Sequence, residues 1–324
     1  MCLRHKRSGT EILMRIEEIY RVEAPYREDM VIKGYRFGRG DKAACILGPM
    51  RGNEIQQLYI CSQLVRVLKE LEGNGCISAG KEVMVIPVVN NYTMNVGKRY
   101  WGVEDVDINR KFPGSSSGEA AARIAGGVFE AIKDYSYGIQ LASFYMTGEF
   151  IPHVRMMETG YQNTSLANLF GLPYVAVRKP APIDTRTLNY NWQDEMTAAF
   201  SLYTNKNTEI DEESAVQAVA AVLRFLTRMG IIRYESHSGY ISHVILEEDL
   251  SNIHVNCGGI FRSLVKVGAD VRYGNKLAEV IDPYEGSVKE TVYAPTDGIV
   301  FFRYTEPLIM QNEMAYRLIH RLHA

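Results

Sequence analysis

Short apolar runs alternate with helical patterns along the first two thirds of this 324-residue chain. Residues 43–48 form an apolar run that ends in glycine, as a buried strand does, and residues 53–71 place apolar side chains at helical spacing. The alternation continues with predicted strands and helices at residues 83–89, 120–132, 137–144, 198–203 and 211–230. Strands that alternate with helices predict an α/β fold, in which a largely parallel sheet is covered on both faces.

The pattern changes near Gly239, where short β-rich runs separated by turn residues replace the helices. These runs cover residues 260–267, 276–281, 290–293 and 299–304. An all-β segment of roughly 85 residues has the size of a small domain. We therefore predict an N-terminal extension at 1–24, an α/β domain with a doubly wound mixed sheet at 25–235, and a β-rich C-terminal domain at 236–324.

Composition and charge exclude several classes of protein. A formal net charge of −2 lacks the basic excess that nucleic-acid surfaces need, so we expect no nucleic-acid partner. No window reaches the run of about 18 apolar residues of a membrane helix, and the basic N-terminus lacks the apolar run of a signal peptide. The five cysteines are scattered without a CxxC pair, which is typical of reduced thiols. We expect a cytoplasmic protein with no membrane partner.

Two polar segments follow predicted strands, and in such folds sites gather at the carboxyl ends of strands. The first segment reads Gly-Pro-Met-Arg-Gly-Asn-Glu at residues 48–54. The second begins with Asn90 and Arg99-Tyr100 and ends in Asp-Ile-Asn-Arg-Lys-Phe-Pro-Gly at residues 107–114. Together with the β-rich segment, these motifs resemble the succinylglutamate desuccinylase/aspartoacylase family of the zinc carboxypeptidase-like hydrolases.

The resemblance covers about residues 35–319 and implies a zinc carboxypeptidase-like α/β domain followed by a β-rich, barrel-sandwich-like domain. Residues 294–300, Ala-Pro-Thr-Asp-Gly-Ile-Val, resemble half of a biotinyl/lipoyl-type barrel, but no lysine stands at the turn to carry a cofactor. We therefore expect this domain to cover or narrow the site.

The resemblance implies metal-assisted amide hydrolysis as the family's chemistry. Two histidines and a glutamate hold zinc with an open fourth position, and the metal lowers the pKa of its bound water to about 7. A further glutamate acts as general base, an arginine stabilises the oxyanion, and an Asn-Arg pair binds the substrate carboxylate.

The metal half of that pattern is mostly absent here. Arg51 takes the position of the first histidine, and Glu54 keeps the glutamate ligand. Ala142 takes the position of the second histidine, and Tyr203 stands where the general base belongs. We therefore expect neither zinc nor another cofactor. If catalysis remains, its acid or base is Glu54 or Tyr203.

The other residues near these positions do not restore the ligand set. A shift of register offers Gln140 or Ser143 at the second histidine position, but never a histidine. The seven histidines form no short metal-binding pair, and only His153 lies near the presumed site along the chain. His153 is either a structural histidine or a ligand or acid-base group.

Arg51 argues further against zinc, because a guanidinium always carries a positive charge. Either Arg51 replaces the charge of the metal and pairs with a buried Glu54, or Glu54 is solvated in the first helical turn and Arg51 points outward. A buried carboxylate without a partner costs on the order of 3–5 kcal/mol, which favours the paired arrangement.

The substrate half of the pattern is intact. Arg99, Asn109 and Arg110 match their family positions, and Asp107 is placed to orient Arg110. These residues predict a pocket for a small carboxylate-bearing molecule. The alternatives are that Arg99 is a surface charge and that Asn109 and Arg110 only brace their loop. Further candidates for the pocket wall are Tyr145, Arg155 and Tyr190.

Three functions fit these residues. The first is binding of a small carboxylate ligand of the N-acyl amino acid class without zinc-dependent hydrolysis. The second is an active hydrolase or proton-transfer enzyme with a non-standard site, in which Arg51 and Arg99 supply the electrophile. The third is a non-catalytic subunit, in a homo-oligomer or beside an active paralogue.

Overall fold

The computed structural model describes residues 14–26, 28–102, 104–144 and 146–320 of the chain. Its helices are α1 (Ile55–Gly73), α2 (Asn91–Met94), α3 (Ala120–Ile132), α4 (Thr164–Asn168), α5 (Leu188–Asp194) and α6 (Glu212–Arg228). Short 3-10 helices lie at Ile108–Arg110, Pro182–Arg186 and Glu247–Asp249. Among the described residues, no helix is both long and apolar enough to cross a membrane.

The first ten strands are β1 (Arg15–Val22), β2 (Met30–Gly38), β3 (Gly40–Leu47), β4 (Gly80–Ile86), β5 (Tyr137–Ala142), β6 (Glu149–Phe150), β7 (His153–Met157), β8 (Tyr174–Arg178), β9 (Ala198–Tyr203) and β10 (His243–Leu246). The remaining strands are β11 (Leu250–His254), β12 (Gly259–Ser263), β13 (Asp270–Val271), β14 (Lys276–Ile281), β15 (Val288–Tyr293), β16 (Gly298–Arg303), β17 (Leu308–Ile309) and β18 (Met314–His320).

One large mixed sheet has the strand order β1-β2-β4-β3-β5-β9-β7-β8-β10. Its centre, from β4 through β3 and β5 to β9, is parallel, whereas β7 runs antiparallel to β9. Two smaller sheets form the C-terminal part, in the orders β11-β18-β16-β13 and β15-β14-β12-β17. The structure therefore confirms the predicted α/β fold followed by a β-rich segment.

Helices cover both faces of the large sheet. On one face, α1 and α6 bury Leu64 and Phe225 in a cluster that includes Phe200 of β9. On the other face, α3 and α5 bury Phe129 and Trp192 in a separate cluster. This two-sided cover is the doubly wound arrangement that the alternating pattern predicts.

Most elements of the α/β part follow from sequence, and α3 and β9 have the predicted bounds. The prediction that Asp211 caps a long helix is confirmed, because its carboxylate accepts a hydrogen bond from the Ser214 backbone N–H at 3.2 Å. The patterns did not indicate β7 and β8, which have five residues each. Arg155 interrupts the apolar run of β7, and Arg178 ends that of β8.

Two strands of the large sheet lie outside residues 25–235. β1 lies in the segment predicted to be an extension and pairs with β2. β10 lies beyond the predicted boundary at 235 and pairs with β8. The boundaries at 24 and 235 stay predictions, but the large sheet itself runs from Arg15 to Leu246.

A short strand joins the two parts of the molecule. β6 follows β5 in the chain and pairs with β16 of a C-terminal sheet. The Phe150 ring lies 4.5 Å from the Phe302 ring, centroid to centroid, and Glu149 forms an ion pair with Arg303. The loop after β5 is thereby fixed to the C-terminal part.

The backbone of β5 approaches the Trp192 indole at Gly138. A Cβ at this position lies 2.7 Å from the ring of Trp192, which is fully buried. We expect Gly138→Ala to lower the free energy of unfolding by about 1–3 kcal/mol, because overpacking strains a dense core. Urea unfolding measures the loss.

The matched control for this substitution is Gly73→Ala, at the end of α1, where a Cβ meets nothing within 4 Å. We expect this control to be neutral or stabilising, since alanine favours the helix. Equal stabilities of the two variants would contradict the packing described for β5.

Candidate functional site

An open pocket, about 660 Å³ including its mouth, lies on the face of the large sheet that α5 covers. Directly paired residues of neighbouring strands point to the same face, and this pairing sets Gln140, Ser201 and Arg155 side by side on the floor. The loops after β3, β5 and β8 supply much of the wall. The other lining residues are Arg51, Asn109, Arg110, Ala142, Ser143, Phe144, Met156, Met157, Arg178, Lys179, Asp184, Thr187, Asn189 and Tyr203.

Arg51 lines this pocket and is only 5% exposed. Its Nη1 donates to Glu54 Oε1 at 2.9 Å and to Ser143 Oγ at 3.1 Å. Its Nε and Nη2 donate to Asp107 Oδ2 at 3.1 Å and 2.8 Å. Burial acts to lower the pKa of Arg51, but the two carboxylates outweigh it and raise the pKa, so the guanidinium stays charged.

Glu54 is buried before the first turn of α1 and uses both carboxylate oxygens. Oε2 accepts hydrogen bonds from the backbone N–H groups of Met50 and Arg51, both at 3.1 Å. Oε1 accepts from the Arg51 guanidinium and from the Ser143 hydroxyl. The paired arrangement of Arg51 and Glu54 is therefore confirmed, and the solvated alternative is wrong.

Asp107 does not orient Arg110, contrary to expectation. Its second oxygen, Oδ1, accepts from the Asn109 backbone N–H at 3.0 Å, which leaves the carboxylate bound to Arg51 and to its own loop. Arg110 instead donates to Asp184 Oδ1 at 3.0 Å. The prediction was wrong because Asp184 lies 74 positions further along the chain, beyond the reach of local spacing.

The charges around the pocket are unequal. Among the described residues that line it, Asp184 is the one carboxylate, and it also binds Arg178 at 3.0 Å. The cations that line the pocket are Arg51, Arg110, Arg155, Arg178 and Lys179. Because Arg51 is matched by carboxylates behind the wall, the excess positive charge lies on the other cations and favours an anionic ligand.

The three residues predicted to bind a carboxylate are divided between two pockets. Asn109 and Arg110 line the pocket described above, whereas Arg99 lines a neighbouring one, where its Nη2 donates to the Phe144 carbonyl at 3.2 Å. Asn109 also braces α5, because its Oδ1 accepts from the Leu188 backbone N–H at 3.1 Å. Roles for these residues in ligand binding stay predictions.

The Arg155 guanidinium lies against two aromatic rings, Phe144 and Tyr203, whose centroids are 4.4 Å apart. Its central carbon is 4.4 Å from the Phe144 ring centroid and 4.6 Å from that of Tyr203, within range of cation–π attraction. The Tyr203 hydroxyl is 3.5 Å from Arg155 Nη1. Tyr203 therefore forms part of the wall at the family's base position, and an acid-base role for it stays a prediction.

His153 is fully buried behind this wall. Its ring stacks on Tyr203 at 5.0 Å, and its Nδ1 lies 2.8 Å from the Ile151 carbonyl oxygen. Burial, with a smaller effect of the Arg155 charge, lowers the pKa of His153 to about 3. His153 is therefore neutral and does not line the pocket, which agrees with the alternative that it is a structural histidine.

The remaining site predictions have mixed outcomes. Tyr145 lies outside the described residues, and Tyr190 does not line the pocket. Sequence reasoning missed Arg178, Lys179 and Asn189. Arg178 is the last residue of β8 and Lys179 follows it, so a strand prediction there would have marked both as candidates, but no pattern around Asn189 marks that residue.

The residues present do not fit the zinc ion that the family resemblance implies. Both oxygens of Glu54 are occupied by N–H and O–H donors, and Arg51 brings positive charge to the position of a histidine ligand. Ala142 has no ligand atom. Over the part of the chain that the structure describes, no three His, Cys, Asp or Glu side chains lie together closely enough to hold a metal ion.

Solved structures match nearly the whole chain, although no family model and no curated protein matches its sequence. A succinylglutamate desuccinylase/aspartoacylase from Rhodobacter sphaeroides is 16% identical, with a TM-score of 0.79 over 98% of this chain and 99% of that one. A succinylglutamate desuccinylase from a Silicibacter species is 15% identical, with a TM-score of 0.80 over 96% of both chains.

A third match is a product-bound ectoine utilization protein, EutE, from Ruegeria pomeroyi. It is 16% identical, with a TM-score of 0.75 over 90% of this chain and 89% of that one. At such identities the likeness shows the fold. The resemblance to the succinylglutamate desuccinylase/aspartoacylase proteins is thus confirmed in the architecture, an α/β domain with a large mixed sheet followed by antiparallel sheets.

The Arg51 ion pairs give a test of stability. Arg51→Met leaves the carboxylates of Glu54 and Asp107 buried without their cation, so we expect a loss of about 3–5 kcal/mol in the free energy of unfolding. Arg66→Met breaks an exposed pair with Glu70, whose side chains are 60% and 61% exposed, and should cost less than about 1 kcal/mol. Urea unfolding compares the variants, and similar losses would contradict the buried network.

His153 gives a test of pH dependence. Its pKa is about 3 in the folded protein against 6.5 ordinarily, so as pH falls below about 6.5 the unfolded state takes up the proton first. Stability is full above that pH and is lost progressively as pH falls towards 3. At about 1.4 kcal/mol per unit, the loss between pH 7 and pH 5 is about 2 kcal/mol.

The measurement is urea unfolding at both pH values. His153→Phe should remove this part of the pH dependence, whereas substitution of the exposed His254 by Phe should keep it. The same pH dependence in all three proteins would show that His153 is not held neutral in the fold.

Proposed function

We propose that this protein binds a small carboxylate-bearing molecule of the N-acyl amino acid class in this pocket and does not carry out zinc-dependent hydrolysis. The observation that carries the proposal is the Arg51 guanidinium, which bonds Glu54, Asp107 and Ser143 beside a pocket with excess positive charge. In this arrangement the Arg51 side chain supplies the positive charge beside Glu54 that a metal ion would otherwise supply.

The chemistry of water supports the absence of zinc-dependent hydrolysis. Free water has a pKa of about 15.7, whereas zinc-bound water has a pKa of about 7 and supplies hydroxide at neutral pH. An arginine cannot activate water in this way, because its guanidinium offers only N–H donors and has no empty orbital for the lone pair of the water oxygen. Glu54 is held by four donors, so it is occupied as an acceptor as well.

The pocket supports the ligand class. Arg110, Arg178 and Lys179 present positive charge around the single carboxylate of Asp184, and Asn109 stands beside them. Guanidinium groups bind carboxylates through paired, charge-assisted hydrogen bonds. The solved proteins with this fold are named succinylglutamate desuccinylase and aspartoacylase, names that point to acylated amino acids as the ligands to try.

The first measurement is the zinc content of protein purified without an affinity tag, together with calorimetric titration of N-acetyl amino acids. We expect far less than one zinc per chain and saturable binding of at least one compound. About one zinc per folded chain, or no binding across the panel, would contradict the proposal.

Lys179→Glu tests the site of binding. The substitution places a negative charge in the wall of the pocket, so we expect several-fold weaker binding, corresponding to a Coulomb effect of about 1 kcal/mol near water. Lys42→Glu changes the same charge at an exposed position outside the pocket, paired with Asp134, and should leave the affinity unchanged. Equal effects of the two variants would place the ligand elsewhere.

Product analysis of the same titrations separates binding from catalysis. We expect the bound N-acetyl amino acids to be recovered intact. Turnover in metal-free protein that is lost in Tyr203→Phe would instead favour acid-base chemistry at the non-standard site. Co-purification of an active relative, with no ligand bound, would favour the role of a partner subunit.

A further inference from the structure

Arg155 is a cation of the pocket without a carboxylate partner among the described residues. Its Nη1 has the Tyr203 hydroxyl at 3.5 Å, and its Nε is buried without a hydrogen-bond partner. The other two arginines nearby differ, because Arg110 and Arg178 both bind Asp184 at 3.0 Å. Among the described arginines that line the pocket, Arg155 is therefore the one with no carboxylate in contact.

The rings beside Arg155 fix the guanidinium without neutralising it. The centroids of the Phe144 and Tyr203 rings lie 4.4 Å and 4.6 Å from the guanidinium carbon, and the two rings also contact each other. Burial lowers the pKa of Arg155, because removal from water disfavours the charged form. A charge held in an unfavourable position of a pocket is a common mark of a binding site.

Asn189 is a second polar group of this pocket that lacks partners. It is 2% exposed, and both its Oδ1 and its Nδ2 are buried without a hydrogen-bond partner among the described residues. Because both atoms are unpaired, this holds whichever way the amide is turned. Buried polar groups are normally hydrogen-bonded, so an amide unpaired at both atoms beside a pocket needs an explanation.

We propose that Arg155 and Asn189 together form the specificity subsite of the pocket. Arg155 binds the anionic group of the ligand, and Asn189 pairs with an amide of the ligand. This inference rests on the proposed function and deepens it, because it moves the main anion contact from Arg110, which Asp184 already matches, to Arg155.

The chemistry of the two side chains defines the class of ligand. A guanidinium offers N–H donors in a plane that matches a carboxylate. A primary amide offers a carbonyl acceptor and N–H donors. In the trans amide of an N-acyl amino acid the N–H and C=O point in opposite directions, so Asn189 would bond one of them, with its Oδ1 accepting from the N–H. A small molecule with a carboxylate close to an amide, as in an N-acyl amino acid, satisfies both.

The test compares N-acetylglycine with its ester analogue, O-acetylglycolate, by calorimetry. The ester keeps the carboxylate and lacks the amide N–H, so wild-type protein should bind it about tenfold more weakly. In Asn189→Leu that preference should disappear. In Arg155→Met the affinity for both compounds should fall about 10- to 100-fold, and Arg110→Gln should reduce it less.

Thermal unfolding without ligand separates a binding role from a structural one. If Arg155 and Asn189 serve the ligand, Arg155→Met and Asn189→Leu should melt at or above the wild-type temperature, since each removes an unmatched polar group. Lower melting temperatures of both variants together with unchanged affinity would overturn the inference. Arg155→Lys, which keeps the charge, provides a folded comparison if Arg155→Met does not fold.

The outcomes of the titrations are distinguishable. Binding by wild type that survives both Arg155→Met and Asn189→Leu would overturn this inference and leave the proposed function standing. No binding of any N-acetyl amino acid by wild type would overturn both. Loss of binding in Arg110→Gln with little change in Arg155→Met would return the anion contact to the pattern of the family.

Discussion

The buried guanidinium of Arg51 holds together three segments that are distant in sequence. It bonds Glu54 at the start of α1, Asp107 before the 3-10 helix at Ile108–Arg110, and Ser143 after β5. The attraction between buried opposite charges is strong, but it repays the loss of solvation only when hydrogen bonding is nearly complete. Arg51 meets that condition with donors directed at three side chains.

A lysine or an apolar residue would not replace this arrangement. An ammonium has three donors on one nitrogen, whereas the guanidinium spreads its donors over a rigid fork that reaches Glu54 and Asp107 at once. An apolar residue would leave both carboxylates without a partner. The position of the loops around the pocket therefore depends on an arginine at position 51, in the same way that a metal site depends on its ion.

The sequence predicted the Arg51–Glu54 ion pair and missed the partner of Arg110. The ion pair between Arg51 and Glu54 could be predicted because the two residues are three positions apart and lie in a recognisable motif. The partner of Arg110 could not be predicted, because Asp184 lies in the 3-10 helix Pro182–Arg186 after β8, and the patterns did not indicate β8. Local spacing carries information about neighbours along the chain, and long-range pairs depend on the order of strands in the sheet.

The wall of the pocket also depends on contacts that no local motif encodes. Phe301 of β16 packs 4.9 Å from His153, His153 stacks on Tyr203, and Tyr203 lies against Arg155. No described residue of the C-terminal part lines this pocket, but Phe302, Met314 and Arg317 line an adjoining cavity together with Arg155. Through His153, the C-terminal part also supports the Tyr203 ring. The expectation that this part covers or narrows the site stays a prediction. From Phe301, a substitution would therefore reach Arg155 through the two intervening rings of His153 and Tyr203.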